Sequence, residues 1–212
     1  MTARRSGQTR PERPKPYHHG DLRAAMLAAT ERILERDGLV GLTLRAAARE
    51  AGASHAAPKN HFGDLTGLLS ELAAVGFQRF ASQLVASAAE QPTPQSRLNA
   101  IGHAYVEFAV ANPGLFQLMF RSERLDAARP ALRDAMAAAY RVLTDAVADA
   151  YPNATGQPGP EVARAWSMVH GYAVLLLDER LDAILGTGPA ATDPMALLDM
   201  VLRLDGGAPG AA

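Results

Sequence analysis

The side chains best suited to chemistry lie between Thr43 and Phe62, in the run TLRAAAREAGASHAAPKNHF. His55, Lys59, Asn60 and His61 follow a glycine within the length of one short helix. Side chains of these types hydrogen-bond to base edges and phosphate oxygens. Upstream, Leu44, Ala47, Ala48 and Ala51 recur at i, i+3, i+4 and i+7, which predicts a first short helix with one apolar face. Thr43 can cap that helix through its hydroxyl, and Ser54 can cap the second. Ala48 lets a neighbouring helix cross closely, and Gly52 admits the positive φ of a sharp turn. Pro58 falls in or just after the first turn of the second helix, where it breaks few bonds. Two short helices about a tight turn have the shape of a DNA-reading helix-turn-helix. The predicted DNA contacts are His18, His19, Thr43, Arg45, Ser54, His55, Ala56, Lys59, Asn60 and His61.

An ordinary helical hairpin shares this local pattern, and charge distribution separates the two readings. Residues 1–70 hold eleven Lys and Arg against seven Asp and Glu, net +4, while the remainder holds ten against fifteen, net −5. A basic amino-terminal third on an acidic body suits a DNA-binding head, because binding needs phosphates neutralised locally rather than a basic chain throughout. With a net charge of −1, the chain does not read as a nonspecific DNA-coating protein.

The elements that must position these residues read as helices. The face of Leu22, Met26, Ala29, Ile33 and Leu34 predicts a helix from Asp21 to Asp37, stopped by Gly38. Further helices are expected at Leu65–Ala89, Gln95–Ala111, Gly114–Phe120, Pro130–Ala150, Glu161–Leu185 and Pro194–Leu204. No segment shows sustained strand alternation, so the class is all-α. The predicted organisation is a disordered basic arm at 1–16, a three-helix DNA-binding head at 17–64, a helical effector-binding and dimerisation body at 65–205, and a flexible tail at 206–212. The arm has five basic residues and three prolines without apolar periodicity.

Composition excludes several functions. With no cysteine, the chain has no disulfide, thiolate metal site or cysteine nucleophile. Adjacent His18 and His19 lack a third ligand at recognisable spacing, so no metal and no cofactor is expected. Neither a signal peptide nor an apolar run near membrane length is present, which points to a cytoplasmic protein without a membrane partner. No phosphate loop and no nucleophile in a glycine elbow is found, so an enzyme is not expected. A helical enzyme without a recognisable motif, or a protein-interaction module with a basic head, remains the alternative.

In the body, Trp166 and His170 share a helix face, and Gly171 lets another backbone approach. Phe80, Tyr105, Phe108, Phe116, Met119, Phe120, Tyr140, Trp166 and His170 are the candidate lining of an effector pocket, since pockets between bundle helices are mostly hydrophobic. Plain core packing is the competing role for each. Val162, Val169, Ala173, Leu177, Leu181, Ile184, Leu198, Val201 and Leu202 offer an apolar side on the last two long helices, a candidate homodimer interface.

The segments YHHGDLR at Tyr17–Arg23, ASHAAPKNHFGDLTGLL at Ala53–Leu69, ANPGLFQLMF at Ala111–Phe120 and WSMVHG at Trp166–Gly171 occur in the order found in TetR-type transcriptional regulators. The chain resembles the branch of that family with a WHG carboxy-terminal domain. The resemblance implies a three-helix DNA-binding head, an effector-binding body and a homodimer formed by the last two long helices. The expected partners are double-stranded DNA, a second copy of the chain and a small apolar effector, and the expected outcome is repression, with activation as the alternative. Lys59 stands where the family usually has tyrosine, and Leu65 where it usually has a phosphate-gripping lysine.

Overall fold

The computed structural model describes residues 19–54, 57–152, 159–186 and 192–204. The helices are α1 His19–Asp37, α2 Leu44–Glu50, α3 Ala57–Phe62, α4 Leu65–Ala89, α5 Pro94–Ala111, α6 Pro113–Met119, α7 Pro130–Ala150, α8 Gly159–Leu177, α9 Asp182–Leu185 and α10 Pro194–Leu204. Among the described residues there is no β-strand.

Local chemistry sets most of these boundaries. The Thr43 hydroxyl accepts the Ala46 amide at 3.0 Å, and the Asp64 carboxylate accepts the Gly67 amide at 2.8 Å, so α2 and α4 begin on capped turns. Thr93 and Ser96 form a reciprocal capping box on α5, and proline opens α5, α6 and α7, where its missing N–H costs nothing. Helix α2 ends as a Schellman turn. Gly52, at φ 66°, donates to the Arg49 carbonyl and Ala53 donates to that of Ala48.

Helix α4 is the axis of the body and packs on α5 and α7, while α5 packs in turn on α8 and α10. Helix α1 contacts α2 and α4 and also α6. Leu22, Met26, Ala29, Ile33 and Leu34 of α1 are all buried, in an apolar cluster that continues through α4 into Phe108, Leu115 and Leu132. Head and body therefore share a core across the expected boundary at residue 64.

One expectation needs correction. The continuous helix from Glu161 to Leu185 is two helices, α8 and the single turn α9. Glu179 adopts φ 56°, Arg180 donates to the Leu175 carbonyl at 2.8 Å, and the chain turns through the charged run Asp178–Arg180. That turn returns Leu181 to the core. A non-glycine residue in this conformation costs about 1 kcal/mol, offset here by burial of the leucine.

Candidate nucleic-acid interface and body cavity

Helix α2 presents Ala47 and Ala48 inward, both buried, so α3 can follow at close range across the Gly52 turn. Pro58 and Phe62 anchor α3 from the inner side, and Lys59, Asn60 and His61 face solvent. Thr43, Arg45 and Ser54 are also exposed. The Thr43 oxygen is engaged as a helix cap, which leaves its hydroxyl proton for an outside acceptor. His18, His55 and Ala56 lie outside the described residues, as do the arm at 1–16, the tail at 206–212 and the last step of the expected Ser54 cap. His19 opens α1. Leu65 is half-buried and packs against the core rather than facing outward. Among the described residues no group of His, Asp and Glu stands close enough to hold a metal ion.

The head is tied to the body by polar contacts that sequence reasoning missed. Arg129, at the start of α7, donates through Nη2 to the Phe62 carbonyl at 2.9 Å and stands 3.7 Å from Glu71 of α4. Glu71 also pairs with Arg23 of α1. Ser70, fully buried on α4, accepts the Asp126 amide at 2.9 Å. Gly67 was the available signal. A Cβ there would stand 2.0 Å from the Phe62 oxygen and 2.4 Å from Arg129 Nη2, so glycine makes room for this junction at the expense of helix propensity.

The body holds a partly open cavity of about 530 Å³, within the range of small-molecule sites. Of the candidate lining residues, Phe80, Tyr105, Met119, Phe120, Tyr140 and Trp166 do line it. Phe108, Phe116 and His170 do not. They form the layer behind the wall, where Phe108 packs on Phe80 at 5.1 Å, Phe116 on Phe120 at 4.9 Å and His170 on Phe120 at 4.8 Å. Phe77, another aromatic of the same run, lines it too, and lining residues not foreseen include Leu84, Leu125, Ala127, Leu132 and Met136. Polar groups are few: Gln95 and Asn99 from the first turns of α5, Tyr151 after α7, and Glu161 and Arg164 from the start of α8. The Arg164 guanidinium lies 5.5 Å from the Tyr151 ring centre.

Tyr105 brings a buried hydroxyl to the aromatic part of the wall. Its hydroxyl accepts from Trp166 Nε1 at 3.4 Å and shares a 2.8 Å hydrogen bond with His170 Nδ1. Burial pushes the Tyr105 phenol far above its ordinary range and His170 below its own, so both are neutral near pH 7.

Burial within the single chain divides the residues of the expected dimer surface. Val162, Val169, Ala173, Leu181 and Leu198 are buried within the single chain, because α5 and its neighbours already cover them. Leu177, Val201 and Leu202 are half-buried, and Ile184 is 65% exposed. The exposed large apolar residues of α8 are Trp166, Val174 and Leu175, and Met200 of α10 is also exposed. Gly171 was expected at a close helix crossing, yet a Cβ there would meet nothing within 4 Å, so no element described in this chain crosses it.

Residues 98–203 match the family model described as the tetracyclin repressor-like C-terminal domain. A solved protein of unknown function from Rhodococcus sp. RHA1 is 35% identical, with a TM-score of 0.73 over 90% of this chain and 98% of that one. The uncharacterized HTH-type transcriptional regulator YobS of Bacillus subtilis is 29% identical over 89 residues, 42% of this chain; the chain spans about half the length of that relative, 46%. The transcriptional regulator FadR of Bacillus subtilis, solved in complex with stearoyl-CoA, shares the fold at a TM-score of 0.62 and 16% identity, over 85% of this chain and 96% of that one. Both named relatives are described as transcriptional regulators. With the helix-turn-helix geometry, the all-helical body and half of the chain matched by the family model, the protein belongs to the TetR family of transcriptional regulators.

Proposed function

We propose that the protein is a ligand-responsive repressor that binds a palindromic operator as a homodimer. The observation that carries this reading is the course of α4. It starts three residues after the recognition helix α3 ends, and farther along it supplies Phe77, Phe80 and Leu84 to the cavity wall. One rigid element thus has the DNA-reading surface at one end and the cavity at the other.

The effector is a small molecule with an apolar body and a polar group. Aromatic and aliphatic walls take the body, and Gln95, Asn99, Glu161 and Arg164 take the polar group. That a regulator of the same fold is solved with stearoyl-CoA supports a ligand of this build. Occupancy changes DNA affinity only through a difference in ligand affinity between two head arrangements, one matching successive major grooves and one not. Val174 and Leu175 of α8, and Met200 of α10, are the exposed apolar side chains offered to a second copy, with Gly171, one turn before Val174 and Leu175, allowing close approach. Action on chromosomal DNA places the protein in the cytoplasm.

The test is a titration of the protein, bound to duplex selected from a random pool, with fatty acids, acyl-CoA thioesters and aromatic acids. Release of the duplex by one class, with quenching of Trp166 fluorescence, is the expected result. Specific duplex binding that no amphipathic compound alters would leave a regulator without this effector site.

A further inference from the structure

We propose that Arg129 is the positioning residue that couples the cavity wall to the recognition helix; this rests on the regulator reading above. The last carbonyls of a helix lack intrahelical partners, and Phe62 is the last residue of α3. Arg129 Nη2 donates to that carbonyl at 2.9 Å. A guanidinium suits the place, because it carries the charge favoured at a helix carboxy-terminus and presents several donors in a fixed fork. Its other arm, Nη1, stands 3.7 Å from Glu71, the carboxylate that also holds Arg23 of α1. One side chain of the body thus reaches the end of α3, the second turn of α4 and, through Glu71, α1.

The segment that carries Arg129 contributes residues to the cavity wall on either side of it. Leu125 and Ala127 line the cavity just before it, and Leu132 lines it three residues after it. Between them the loop is pinned to α4 by the Asp126 amide, which donates to Ser70 Oγ at 2.9 Å, and braced within itself by the Ala128 amide, which donates to Asp126 Oδ1 at 3.1 Å, and by Arg129 N, which donates to the Asp126 carbonyl at 3.1 Å. The segment is short and held by these three bonds. A ligand that displaces Leu125, Ala127 or Leu132 therefore moves the guanidinium, and the guanidinium is bonded to the recognition helix. Gly67 completes the device, since any side chain there would occupy the seat of Arg129 against Phe62.

The test uses the full chain and two substitutions. Arg129→Met keeps the stem and removes the donors; Arg129→Lys keeps a cation beside Glu71 and guards against a folding defect. Hydrogen exchange of residues 59–68 is followed with and without 8-anilinonaphthalene-1-sulfonate, whose arrival in the cavity is read by energy transfer from Trp166, the single tryptophan. In Arg129→Met, exchange in 59–68 rises about tenfold and affinity for selected duplex falls about tenfold, as for loss of one charge-assisted bond, while α5 and α8 stay protected. Arg129→Lys gives a smaller change in the same direction. The probe alters exchange in 59–68 of the wild-type protein and not in Arg129→Met.

Wild-type exchange and affinity in both variants, or a probe-induced change as large without the guanidinium, would overturn the proposal. Absence of energy transfer in the wild-type protein would count against the cavity as a ligand site, and failure to select any duplex against the regulator reading. In either case the exchange of the two variants still decides whether Arg129 holds α3.

Discussion

Glu35, on the first helix of the head, accepts the Leu115 amide at 3.1 Å and the Gly114 amide at 3.4 Å, and so caps α6 of the body from another helix. A carboxylate at a helix start satisfies orphan amides and complements the helix dipole. Gly114 is part of the fit, because a Cβ there would approach the Leu34 carbonyl to 3.1 Å. Glu35→Ala is expected to cost about 1 kcal/mol, seen as a drop of about 2–4 °C in Tm. An unchanged Tm would show that solvent satisfies those amides equally well.

On the DNA-reading face, alanine at Lys59 or Asn60 is expected to weaken binding to selected duplex by about 1 to 3 kcal/mol each if the side chain meets a base, with helical circular dichroism unchanged. If alanine at both positions together leaves affinity intact, the DNA-reading surface lies elsewhere.

The bonds around Tyr105 lead to a second stability prediction. Tyr105→Phe keeps the ring in the wall but leaves Trp166 Nε1 and His170 Nδ1 without their partner. Thermal or urea unfolding should show a loss of about 1–2 kcal/mol. A neutral result would mean that water replaces the hydroxyl.

His170 makes stability depend on pH. Burial lowers its folded-state pKa below the ordinary 6.5, so between those two values the unfolded chain binds a proton that the folded chain does not. The stabilising contribution is complete above 6.5 and is lost as pH falls toward the folded value. Tm is expected to fall on acidification from pH 7.5 to 5.5, and by less in His170→Gln. An equal fall in both proteins would assign the effect to other groups.

The dimer prediction follows from burial rather than periodicity. Val174→Glu with Leu175→Glu places charge on the outward face of α8 and should halve the molar mass measured by light scattering. Leu181→Glu strikes a core residue and should instead unfold the chain. A wild-type monomer at micromolar concentration would contradict the dimer.

Much of the fold was legible in the sequence, because local signals mark where helices begin and end. Helices α4, α7 and α10 run over the residues expected, each opened by an aspartate or proline at its first turn. The break after Leu177 was not legible: Leu181 and Ile184 continue the apolar spacing across the turn, so periodicity alone reads one helix. The same limit explains Val162, Val169 and Ala173. A periodic pattern reveals an apolar face but not whether the chain's own α5 or a second copy covers it. The joins of Arg129 to Phe62 and Glu35 to Leu115 link residues 67 and 80 positions apart and leave no periodic trace. Gly67 and Gly114, each in a first helical turn where glycine is costly, were the only local marks of them.

The most direct measurement of the central claim is the sequence of duplexes that the purified protein enriches from a random pool. A two-fold protein reading DNA through α3 predicts an approximate palindrome, with half-site centres about 10 base pairs, or a multiple of that, apart. Enrichment of no sequence, or of a single asymmetric site bound with full affinity by one copy, would contradict it.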